Sequence, residues 1–178
     1  MLTMQGFSNP TDYVNRYISG IIQNKHAFAS QNTIDMTPGN FVVCMQNGLY
    51  YLVDHVAKMI VAISLHEESL DKCFHVRSIA TISYTAIAQA VVALIPIEVT
   101  PYVTWRKTLD QLDKSNPLYD LLPFFPVDQR SLSNSDAWPY KITNAEAILK
   151  KDKLEYLLHH KVSEETLKMY ASLYCNKQ

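Results

Sequence analysis

The architecture of this chain turns on FVVCMQNGLYYLVDHVAKMIVAI, residues 41–63. Phe41, Val43 and Met45 alternate with Val42, Cys44 and Gln46, a period of two that sends successive side chains to opposite faces of a strand. Asn47-Gly48 follows, the dipeptide favoured in two-residue hairpins because both central positions of a type I′ turn take positive φ. Leu49, Tyr51 and Val53 resume on a second strand, residues 54–58 turn, and Met59–Ile63 reads as a third. Cys73–Arg77 is a candidate fourth strand. Both faces of this meander are apolar, so helices or a partner are expected to cover both sides.

Helical signals surround it. Before the meander, Asn9 caps, Pro10 suits a first helical position, and Tyr13, Val14, Tyr17, Ile18, Ile21 and Ile22 recur every three or four residues. That predicts an amphipathic helix over 10–24, weakened by Gly20 by roughly 1 kcal/mol unless the glycine admits a close neighbour. After it, Pro101 opens a helix with Tyr102, Trp105 and Leu109 on one side, ended by Asn116-Pro117. LYDLLPFFPV, 118–127, is apolar but broken by proline, which predicts a short helical turn and an irregular wrap over the core. Asn144 and Ser163 cap two terminal helices whose short connection implies an antiparallel αα-hairpin.

The expected fold class is therefore α+β: a three- to four-stranded antiparallel meander packed against at least four helices, with a C-terminal αα-hairpin. One domain over 1–178 is expected, with a helical subdomain from about residue 128 as the variant. The chain's 178 residues are 48% hydrophobic and 19% charged, enough apolar material for a core without disulfide or metal staples and against disorder. Four glycines, where average usage gives about twelve, argue against a Gly-rich phosphate loop.

A net charge of -1 removes the long-range attraction for a phosphate backbone, so no specific nucleic-acid partner is expected. Three widely spaced cysteines make neither a disulfide framework nor a CxxC pair. Together with an N-terminus lacking a signal-peptide pattern, this predicts a cytoplasmic protein; export without a cleaved signal is compatible with the same features.

SIATISYTAIAQAVVALIPI, 78–97, carries no charge and is long enough, as a helix, to span a bilayer. Its polar residues are unevenly distributed, and Ile79, Ile82, Ala86, Ile87, Ala90, Val91 and Leu94 form one stripe. A buried core helix fits that asymmetry better than lipid contact.

Candidate chemistry is sparse. A polar site of Asp54, His55, His75 and Arg77 beside the sheet, with Cys44 as thiol, is the arrangement a small hydrolase or transferase would use. A thiol inside an apolar strand is more often a core side chain. His66-Glu67-Glu68 lacks the second histidine of a helical zinc site, and the adjacent His159 and His160 diverge on a helix, so neither metal nor cofactor is expected. The eleven tyrosines and two tryptophans are the stronger signal. Aromatics with polar ends anchor interfaces, and Tyr50, Trp105, Trp138, Tyr170 and Tyr174 are the candidates. The leading expectation is a protein-interaction module without its own catalysis: an adaptor, a chaperone-like subunit or a homodimer. The alternatives are the small hydrolase or transferase and peripheral membrane association through 78–97.

Overall fold

A computed structural model describes residues 11–29, 53–76, 83–127, 141–159 and 162–175. Helix α1, Tyr13–Asn24, starts where Asp12 accepts the Asn15 N–H at 2.9 Å, and ends at Lys25 in the left-handed region with φ 57°. Val14, Tyr17, Ile18, Ile21 and Ile22 are its buried stripe. Strand β1, His26–Ala29, leads away from it. Helix α2 is Val53–Ser64, followed by a 3-10 turn at Glu67–Ser69. Helix α3, Tyr84–Val92, is capped by Ser83, whose Oγ accepts the Ala86 N–H at 3.1 Å. Strand β2, Glu98–Pro101, runs directly into helix α4, Tyr102–Thr108. Helix α5 is Thr143–Lys151 and α6 is Glu164–Cys175.

The expected antiparallel meander is not the fold. Among the described residues the sheet has two strands, β1 and β2, and they are parallel, with His26 opposite Glu98 and Phe28 opposite Thr100. The expected third strand, Met59–Ile63, lies inside α2, and the expected fourth strand has no regular structure at 73–76. The physical reason is period. Val56, Met59, Ala62 and Ile63 recur at helical spacing and pack together on one side, so tertiary contact overrides the β-propensity of the valines and isoleucines. The first strand, the Asn47-Gly48 turn and most of the second lie outside the described residues. The molecule is mostly helical, with six α-helices among the described residues.

Two buried clusters organise these elements. The larger joins α1, β1, α3, α4 and α6 to the wrap at 118–125. Its centre is aromatic: Phe28 meets Tyr84 and Trp105 at ring-centroid distances of 4.5 Å each, Tyr102 at 5.1 Å and Phe125 at 6.3 Å. These polar rings are buried with their ends satisfied. Trp105 Nε1 donates to the His26 carbonyl at 3.1 Å, Tyr102 donates to the Pro126 carbonyl at 2.6 Å, and the Tyr13 and Tyr84 hydroxyls share a 2.8 Å bond.

The smaller cluster packs α2 against α5 and the 3-10 helix after it, Glu155–His159, through Met59, Ala62, Ile63, Ala145, Ile148, Leu149, Leu157 and Leu158. The expected C-terminal hairpin is thereby corrected. Helix α5 belongs to the smaller cluster, whereas α6 packs on α1 and α3 in the larger one, because Leu167, Tyr170 and Ala171 complete that apolar surface.

Candidate interaction surface

Helix α2 has two apolar sides. Met59, Ala62 and Ile63 point into the smaller core. The other side presents Ala57, Val61 and Ser64 one turn apart, flanked by Ile60 and Leu65. Ile60 and Val61 are 53% and 55% exposed, and Leu65 and Leu70 beyond the helix end are 79% and 73% exposed. A second run, Val92, Leu94, Val99 and Val103, is less exposed, at 41–50%, and spreads over α3, the turn after it, β2 and α4, while Val127 and Tyr156 stand singly. Four large apolar side chains within eleven residues of chain make a candidate contact surface in a way that scattered single ones do not.

The end of α2 is held by polar contacts to α5 and the turn after it. His66 Nε2 meets Asp152 Oδ2 at 2.9 Å, Lys151 Nζ is paired with the Glu68 carboxylate, and Asn144 Nδ2 donates to the Cys73 carbonyl at 2.9 Å. Lys151 holds the Glu68 carboxyl below its ordinary value, chiefly by hydrogen bonding and then by charge. Asp71, with φ 58°, turns the chain between these contacts. The effect is to fix the segment after α2 against α5, with Leu65 and Leu70 left exposed.

The residues expected to carry chemistry are distributed otherwise. Asp54 and His55 lie in the first turn of α2 rather than at a sheet edge, and His55 is half-buried. His75, also half-buried, follows the 3-10 turn in the irregular segment at 73–76. Cys44 and Arg77 lie outside the described residues. The strand edge expected to carry Asp54 and His55 is replaced by the first turn of α2. Among the described residues no three His, Cys, Asp or Glu side chains are placed to hold a metal ion. His66 and Asp152 are an acid–base pair in partial contact with solvent, while Ser69, three residues on, holds its Oγ buried without a hydrogen bond.

Of the expected interface aromatics, Trp105 and Tyr170 are fully buried in the larger core, and Tyr174 is partly buried against it. Tyr50 and Trp138 lie outside the described residues. Within 78–97, α3 occupies 84–92 and buries Tyr84, Ile87, Ala88, Ala90 and Val91. Among the described residues no helix is long and apolar enough to cross a membrane. The α2 face escaped a reading by strand period, which places Met59, Val61 and Ile63 on one side. The signal for it was the spacing of Ala57, Val61, Ser64 and Leu65.

No protein-family model, curated protein or solved structure matches this chain.

Proposed function

We propose that the chain works by contact with another protein chain, as an interaction module without catalysis of its own, and that α2 supplies the contact. The observation that supports this is the outer side of α2, where Ile60 and Val61 stand exposed, with Leu65 and Leu70 exposed in the chain that follows, on a helix whose inner side packs into its own core. Exposing several apolar side chains together costs solvation free energy that folding alone does not recover, and burial at an interface does. The aromatic residues have a different role in this reading: Trp105 and Tyr170 stabilise the scaffold.

A photo-crosslinking amino acid at position 61 tests the reading, with one at Gln89, exposed on α3, as the control. A discrete protein adduct from position 61 and none from position 89 is the expected result in cells expressing the full chain. Absence of an adduct at 61, or equal yield at both positions, would overturn it. Mass spectrometry of the adduct also separates a copy of this chain from a different protein.

A further inference from the structure

Independently of what binds α2, we infer that the smaller core is a separately opening unit: α2, α5 and the 3-10 helix at 155–159 open together while the larger core stays packed. The path of the chain allows this. Segment 53–76 lies between β1 and α3, and 141–159 lies between the wrap at 118–125 and α6, all of which belong to the larger core. Releasing the two segments breaks no pairing between β1 and β2 and takes no residue from the aromatic centre.

The two cores also differ in strength. Among the described residues the smaller has eight buried side chains, two of them alanine and none aromatic, against twenty-one in the larger, seven of them aromatic. Burial stabilises in proportion to the apolar area removed from water, and each ring removes more than an aliphatic side chain does. The larger core is further tied by wholly or partly buried bonds between distant elements: Trp105 to the His26 carbonyl, Tyr102 to the Pro126 carbonyl and Asn116 to the Gly20 carbonyl. The ties across the smaller core, His66 to Asp152, Lys151 to Glu68 and Asn144 to the Cys73 carbonyl, are exposed, where water and salt leave an ion pair little to contribute. A weak unit inserted in a stronger frame opens sub-globally. Opening bares Met59 and Ile63 on α2 with Ile148 and Leu149 on α5, while Phe28, Tyr84 and Trp105 keep their contacts.

Native-state hydrogen exchange of the full chain through sub-denaturing urea, read by peptide mass spectrometry, tests this. Amides of α2 and α5 should be released together, at lower urea than those of α1, α3, α4 and α6. Leu109→Ala, in the larger core, should speed exchange in α1, α3 and α4 at least about tenfold and leave α2 and α5 within about twofold, because their opening does not pass through the larger core. Where Leu109→Ala fails to fold, Ile18→Val replaces it, with an expected acceleration of about fivefold in the same three helices. One urea dependence for all six helices, or equal acceleration of all six by the substitution, overturns the inference, since the two cores would then open as one. Amides of α2 and α5 without measurable protection overturn it as well, because the unit would already be open.

Discussion

Gly20 shows how much one missing side chain contributes. It sits in the middle of α1, where alanine would favour the helix by about 1 kcal/mol. A Cβ there would lie 2.4 Å from Leu118 Cγ, 2.8 Å from the Leu118 backbone nitrogen and 3.0 Å from Asn116 Oδ1. The obstacle includes backbone, and Asn116 is committed on both sides: its Nδ2 donates to the Gly20 carbonyl at 3.3 Å and its Oδ1 accepts the Leu118 N–H at 2.9 Å. Overpacking therefore outweighs propensity, and Gly20→Ala should lose about 1–2 kcal/mol net in urea denaturation. A variant as stable as the wild type would show that the wrap at 118 does not press on α1. The glycine itself was readable from sequence as the site of a close approach. Its neighbour was not, because residues 20 and 118 share no local pattern.

Two tyrosines make a second residue-scale prediction. Burial pushes the Tyr102 phenol up to about 12, with Arg106 opposing, and burial also raises Tyr84. Both start from an ordinary value near 10. The unfolded chain releases these protons near that value while the native chain keeps them. Their contribution is thus complete below pH 10 and is lost as pH rises from there through 12. Stability measured by denaturant should fall between about pH 10 and about pH 12, and Tyr102→Phe should flatten that fall. An unchanged slope in the variant would remove Tyr102 from the account.

At the scale of elements, what could be read from the sequence depended on how many neighbours of one period each element had. Helix α4 was legible because Tyr102, Trp105 and Leu109 repeat at helical spacing behind a proline, and all three are buried. The wrap at 118–127 was legible from its prolines and became a 3-10 turn with Leu118, Leu121 and Phe125 buried. Strands β1 and β2 were not, since HAFA and EVTP are four residues each and pair across about seventy residues of chain. No local pattern announces a parallel pairing at that distance. Helix α2 failed for another reason: a short apolar run fits both periods, and only the partner decides.

That ambiguity has a direct measurement. A strand places Met59, Val61 and Ile63 on one face, whereas the helix buries Met59 and Ile63 and leaves Val61 outside. Ile63→Ala should lose about 2–4 kcal/mol, and Val61→Ser should lose no more than about 0.5 kcal/mol. Both are measured by urea denaturation. Equal losses at 61 and 63 would restore the strand.

The whole molecule is threaded between its two cores. In chain order, described residues 11–29 belong to the larger core, α2 to the smaller, 83–127 to the larger, α5 and the 3-10 helix after it to the smaller, and α6 to the larger. Neither core is therefore made by one continuous piece, although the loop-like texture after residue 127 invites the expectation of a removable C-terminal unit. Ending the chain after Val127 would take α5 from α2, leaving Met59 and Ile63 without Ile148 and Leu149. The same cut would take α6 from α1 and α3, exposing the surface that Leu167, Tyr170 and Ala171 cover. Each buried aliphatic side chain stabilises by about 1.5–3 kcal/mol, and a domain's whole stability is about 5–15 kcal/mol, so the loss exceeds what either core retains. Residues 1–127 should thus lack a cooperative thermal transition and bind a hydrophobic dye. Adding 141–178 as a separate chain should restore native-like near-ultraviolet circular dichroism only if both fragments supply both cores. A sharp transition from 1–127 alone would show that α5 and α6 are accessory, and the interleaving of the two cores would then be a path of the chain rather than a condition of its folding.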